Sequence, residues 1–151
     1  MWAGPRSQPL GSMARGISAD EYTLLEHNSF LAKGKIKLIT LALEILENKG
    51  LIVYAFQQGA VVGVGHSAAS YEEVSASVPS GLTHGAHMFN AMLGLHHREP
   101  GAVGAVLTCD GVIAEVVADN THLHPVVARV LMRAKGVNTS VLAPDAILIR
   151  H

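Results

Sequence analysis

In Leu82-Thr83-His84-Gly85-Ala86-His87-Met88-Phe89-Asn90-Ala91-Met92, Leu82 to Ala86 reads as a short strand that delivers His87 and empties into polar sequence. That sequence continues as Leu95-His96-His97-Arg98-Glu99-Pro100-Gly101. Four of the nine histidines lie between His84 and Gly101, beside an arginine, a glutamate and a turn-forming Pro-Gly pair. A strand that opens into such a segment is where an α/β protein places its chemistry.

The same arrangement recurs on both sides of this stretch. Upstream, Ala60-Val61-Val62-Gly63-Val64-Gly65 reads as a buried strand that delivers His66-Ser67. Ser70 then caps a helix to about Val78, with Glu72 and Glu73 in the first turn where the helix dipole favours them, and Pro79-Ser80-Gly81 ends it. Downstream, a loop is expected from Gly101 up to Ile113. Ile113 to Ala118 forms the next strand and delivers Asp119 and His122. His124-Pro125 opens a helix to Lys135, and Thr139 to Ala143 forms a last strand before Pro144-Asp145.

Nearer the start, Ile36 to Leu41 is a short β-rich run, followed by helical pieces at Ala42–Asn48 and Leu51–Gln58 with a break at Lys49-Gly50. Ser18 and Glu21 form a capping box for a helix over Ala19–Ala32. Residues 1–17, with Gly4, Pro5, Pro9 and Gly11, are expected to be irregular, and Met13 is a candidate later start. The domain is thus placed at residues 18–151.

A repeating β-then-α order with short loops predicts an α/β fold with a parallel sheet and its helices outside. His66, His87, His122 and Asp145 each follow the C-terminal end of a different strand. In a parallel sheet those ends share one edge, so the four side chains converge there.

Bulk composition narrows the function. With 151 residues, 49% hydrophobic and 15% charged, the chain fits one folded domain rather than disorder. A net charge of −1 provides no basic face for nucleic acid. No apolar run reaches the ~18 residues of a membrane span, and Met1 to Arg15 lacks the pattern of a signal peptide. Cys109 is the single cysteine, which suits a reducing cytoplasm; it reads as a loop or core residue, since no catalytic motif surrounds it.

Two imidazoles from neighbouring strands with a carboxylate suit zinc or a similar divalent ion. Such an ion favours hydrolysis near neutral pH, with an aspartate at a third strand end moving the proton. His96-His97-Arg98 with Asn90 suits an anionic group, because the arginine fork fits phosphate or carboxylate.

Gly65-His66-Ser67, His87-Met88-Phe89-Asn90-Ala91-Met92, His96-His97-Arg98-Glu99-Pro100-Gly101, Ala118-Asp119, His122-Leu123-His124-Pro125 and Asp145-Ala146 occur in one order. Together they resemble the N-acetylglucosamine-6-phosphate deacetylases of the amidohydrolase superfamily, with Thr40-Leu41-Ala42 and Glu44 as a further matching segment. The resemblance runs from about Ile36 to Ala146. It implies (β/α)8 TIM-like barrel units, about half a barrel, and hydrolytic removal of acetate from an amino-sugar phosphate with one divalent metal ion. Zinc, iron and manganese are not distinguished. It further implies that His66 and His87 bind the metal and that Asp145 is the catalytic acid/base. Asn90 and the amide of Ala91 bind the phosphate, and His122 touches substrate. Arg98 resembles an arginine lent to a neighbouring subunit's phosphate site, which implies a homodimer.

Some positions depart from the family pattern. Ala3-Gly4-Pro5 is the best match to a Glu-Gly-Pro motif that carries a metal-binding glutamate, and a substrate-binding histidine aligns near Ser18. Pro144 precedes Asp145 where the family has threonine, Asn120 stands for a glycine, and Ala86 for a threonine. His84 is an additional imidazole beside His87, read first as a packing residue. Half a barrel leaves sheet edges and an apolar inner face open. Two readings follow: a metal-dependent deacetylase, or a non-catalytic partial chain that retains sugar-phosphate binding or a subunit-pairing role.

Overall fold

Short runs of β-branched residues punctuated by glycine become five strands in the computed structural model, which describes residues 35–45 and 48–144. In chain order these are β1 (Leu38–Leu41), β2 (Val61–Val64), β3 (Leu82–Gly85), β4 (Ile113–Val116) and β5 (Ser140–Leu142). They form one parallel sheet in the order β1-β2-β3-β4-β5. Four helices provide the crossovers: α1 (Asn48–Gln57), α2 (Tyr71–Ser77), α3 (Gly101–Thr108) and α4 (Pro125–Lys135). A sequential strand order with crossovers of one hand keeps every helix on the same face of the sheet, as in a barrel wall. Consistent with this, α2 packs on α3 and α3 on α4. The expected α/β fold of half-barrel type is therefore present.

Register assigns the two faces. Val62, Val64, Leu82, Ala114 and Val116 are buried on the helix side with Leu51, Ile52, Val74, Val103, Val106 and Leu131. On the opposite face, pairing lines up Leu38 and Thr40 of β1, Val61 and Gly63 of β2, His84 of β3, Ile113 and Glu115 of β4, and Val141 of β5. Leu38, Val61 and Val141 are exposed there. A register shift between Val62 and Gly63 puts His84, rather than Thr83, opposite Gly63.

The expected cap at Ser70 is a full capping box: its hydroxyl accepts from Glu73 N–H while Glu73 accepts from Ser70 N–H. Two local expectations are corrected. The expected break at Lys49-Gly50 is absent: the second helical piece starts earlier, at Asn48, and α1 runs through Gly50, whereas Ala42 to Ile45 of the first piece are not helical. Burial of Leu51, Ile52 and Ala55 outweighs the ~1 kcal/mol that a helical glycine costs. Leu43 and Glu44 lie instead in a turn after β1. The expected loop after Gly101 is α3, whose Gly101 to Val106 are all buried. A helix covered on every side shows no polar stripe, so its period is invisible in the sequence.

No helix among the described residues is long and apolar enough to cross a membrane. The expected irregular segment 1–17, the helix over 19–32, Ala3, Ser18 and Asp145 lie outside the described residues.

Candidate functional site

β2 and β3 are adjacent and parallel, so the residues just past their ends emerge side by side. His66 follows β2 with φ +50°, and His87 follows β3 with φ +28°. Positive φ is uncommon outside glycine and is held only where surrounding contacts over-determine it. The rings meet edge to face, with centroids 4.6 Å apart and planes at 87°. His87 Nδ1 is buried without a hydrogen-bond partner. Gly65 makes this approach possible: a Cβ there would lie 2.6 Å from Thr40 Cγ2, 3.0 Å from Ala86 Cβ and 3.6 Å from His87 Cε1.

The strand ends are tied together by groups of other strands. His87 N–H donates to Glu115 Oε1 at 3.1 Å, and Met88 N–H donates to the Glu115 carbonyl at 2.8 Å. One β4 residue thus holds two consecutive amides of the His87 turn. On the other side, Ser67 is 1% exposed, and its hydroxyl donates to Glu44 Oε2 at 2.6 Å while accepting from Leu43 N–H and Ala69 N–H. Glu44 Oε1 also accepts from Ala68 N–H at 2.9 Å. Both Glu44 oxygens therefore brace the turn that carries His66.

Past His87 the backbone again takes positive φ at Phe89 (+72°) and Ala91 (+50°). Alternation of this kind turns successive N–H groups to one side and forms an anion-binding concavity. Asn90 locks the turn: its backbone N–H donates to His87 O at 3.0 Å, and its side-chain amide donates to His87 O and Met88 O at 3.3 Å. The Ala91 amide has no hydrogen-bond partner among the described residues. This arrangement can receive an anion through the backbone, whatever side chain stands at position 91.

β4 contributes a third group. Asp119 Oδ1 accepts from Thr121 N–H at 2.9 Å and His122 N–H at 2.8 Å, and Oδ2 lies 2.6 Å from His122 Nδ1. The backbone N–H of His122, then its ring, then the Thr121 N–H hold the Asp119 carboxyl at about 2, down from 3.8. Adjacent strands are ~4.8 Å apart, so the ends that carry His66, His87 and His122 span about 10 Å.

The structure brings His66 and His87 into ring contact, and it sets Asn90 and Ala91 in the His87 turn. Arg98 is exposed; its backbone N–H donates to His96 Nδ1, and its guanidinium makes no hydrogen bond or ion pair with another described residue. His96 and His97 are exposed, with ring centroids 4.2 Å apart. His84 sits inside the sheet on β3, outside the ring pair, with Nδ1 buried and unpartnered. Cys109 caps α3, and its carbonyl accepts from Lys135 Nζ at 2.7 Å. Among the described residues no group of three His, Cys, Asp or Glu is placed to hold a metal. Sequence reasoning assigned no role to Ser67, Asp119 or Glu115. Asp119 had a legible signal, an Asx-turn residue three before a histidine. Glu115 had none, because its partners come from another strand; Glu44 was marked by the segment that starts at Thr40, but nothing in the sequence pointed to its partners Ser67 and Ala68.

No protein-family model matches the chain. Among curated proteins, the N-acetylglucosamine-6-phosphate deacetylase of Lysinibacillus sphaericus is 37% identical over 116 residues, 77% of this chain and 30% of its own length. The Bacillus subtilis enzyme of the same name is 36% identical over 76% of this chain and 29% of its own. An N-acetylgalactosamine-6-phosphate deacetylase from Shewanella is 33% identical over 87% and 32%. The N-acetyl-D-glucosamine-6-phosphate deacetylase structure from Mycobacterium smegmatis matches with TM-score 0.79 and 29% identity, over 82% of this chain and 35% of that one. The Thermotoga maritima structure matches with TM-score 0.70 and 34% identity, over 75% and 31%. The chain spans about three-tenths of the length of the curated relatives it matches. By sequence and by fold, this chain is a homologue of the N-acetylglucosamine-6-phosphate deacetylases and corresponds to one segment of them.

Proposed function

We propose that the sheet edge at His66, His87 and His122 is part of a metal-dependent site that hydrolyses the acetamide of N-acetylglucosamine 6-phosphate. The observation that carries this reading is the His66–His87 pair, whose rings touch while His87 Nδ1 stays buried and unpaired. Buried ring nitrogens are normally satisfied, and a divalent ion satisfies them. The two imidazoles fit such an ion as two of its ligands. When bound, the ion supplies Lewis-acid chemistry near neutral pH.

In this reading Asp145 takes a proton from the attacking water and returns it to the departing amine. Asn90 shapes the turn that offers the Ala91 amide to the phosphate, and His122 contacts the sugar. Arg98, already exposed on its loop, reaches the phosphate site of a second subunit in a homodimer. The enzyme works in the cytoplasm, on the phosphorylated amino sugar. A Mycobacterium smegmatis mutant structure in complex with N-acetyl-D-glucosamine-6-phosphate, 28% identical over 82% of this chain, supports this substrate class. The galactosamine-named relatives make the epimeric sugar phosphate the natural control.

The test is metal content and acetate release from the full, folded chain. The expected result is about one equivalent of a divalent ion, lost in His66→Ala/His87→Ala, with turnover of the sugar phosphate. Folded protein that binds the sugar phosphate without metal or turnover would establish the non-catalytic reading instead.

A further inference from the structure

We propose that Asp119 is a positioning residue that holds the His122 ring with its proton on Nδ1 and so aims Nε2 at the ligand. The inference rests on the reading of His122 as a substrate contact, and it assigns Asp119 a role that the site residues above do not include.

The geometry separates the two oxygens of Asp119. Oδ1 accepts from the backbone N–H groups of Thr121 and His122 and closes the turn after β4. Oδ2 lies 2.6 Å from His122 Nδ1. A carboxylate only accepts, so the hydrogen at Nδ1 must belong to the ring. In the neutral imidazole the remaining nitrogen, Nε2, is then an acceptor. Since Oδ1 fixes the backbone of the residue whose ring Oδ2 holds, rotation of the side chain and choice of tautomer are set together. Such a partner to a working histidine is worth far more than a surface hydrogen bond, because the wrong tautomer presents a donor where an acceptor is needed.

Asp119→Asn separates this role from a merely structural one. The asparagine carbonyl oxygen still accepts from both backbone N–H groups, so the turn persists. Its amide nitrogen donates, however, and faces Nδ1 only if the ring moves its proton to Nε2. The experiment is long-range nitrogen–proton NMR of the full chain at about pH 9, where an ordinary imidazole is neutral. His122 is assigned by the loss of its signals in His122→Gln. Binding of N-acetylglucosamine 6-phosphate is measured on the same samples.

The expected result is the Nδ1–H form in the unaltered chain and the Nε2–H form in Asp119→Asn. Sugar-phosphate binding should weaken about 10- to 100-fold in the variant. An Nε2–H form in the unaltered chain overturns the proposal without recourse to any variant. So does a flipped tautomer with unchanged binding. An unaltered chain that binds no sugar phosphate sinks the functional reading instead, and the tautomers of the two proteins then decide whether Asp119 controls the ring.

Discussion

Ser67 shows how much one small polar residue decides at this edge. Its buried hydroxyl satisfies the amides of Leu43 and Ala69, themselves 1% and 0% exposed, and ties Glu44 across from the neighbouring loop. Ser67→Ala strands two buried donors and should lower unfolding free energy by about 2–4 kcal/mol, read from denaturant titration. A loss below 1 kcal/mol would mean that water replaces the hydroxyl. The Asp119–His122 pair has its own pH signature. Because the folded carboxyl sits at about 2 against about 3.9 in an open chain, its stabilising contribution is complete above pH ~4. It is lost as pH falls through ~2. Carbon NMR of the Asp119 carboxyl should therefore titrate near 2, and a midpoint near 4 would rule out the pairing. Residue types and their order along the chain announced His66, His87, Asn90, Ala91 and His122 as a set. The bracing roles of Glu115 and Glu44 were illegible, although Glu44 itself stood in the matching segment, because a carboxylate that serves a distant backbone has no local pattern.

The elements divide along the same line. β2, β3, β4, α2 and α4 stand where strand composition, the Ser70 capping box and the Pro125–Gly136 bounds put them, within a residue or two. α3 did not announce itself, since it is buried between the sheet and its neighbouring helices and has no polar face. Its contact with β3 depends on Gly85, where a Cβ would lie 2.8 Å from Val106 Cγ2 and 2.9 Å from Met88 Sδ. Gly85→Ala should cost about 1–3 kcal/mol by overpacking and should displace the turn that begins at Ala86. Thermal unfolding with circular dichroism reads the first effect, and metal or ligand binding the second. Gly65→Ala presses directly on Thr40 and Ala86 beside the His87 ring, so it should reduce metal binding more than stability. Equal losses would mean that the methyl is felt by the whole sheet rather than by the ring pair.

At the scale of the molecule, the first and last strands of the described sheet carry exposed apolar residues. Leu38 is 46% exposed on β1, Val141 41% and Leu142 73% on β5, and Val61 36% on the face away from the helices. Exposed apolar side chains on the outer strands of a sheet favour association in water. Leu38→Thr/Val141→Thr, which keeps β-compatible side chains, should leave folding intact and reduce light scattering at high concentration. Unchanged scattering would place the sticky surface elsewhere, with Val126 and Val130 of α4 next in line.

The sequence by itself determined the α/β class, the succession of strands and the edge to which the histidines are delivered. Those follow from local chemistry: β-branched runs, caps, and turn residues at element ends. Tertiary structure alone decided three things: that α1 runs through Gly50, that α3 exists, and which groups hold the histidines. The physical reason is common to all three. Burial overrides the local preference of a glycine, hides the period of a covered helix, and pairs the carboxylates of Glu44 and Glu115 with backbone amides more than twenty residues away.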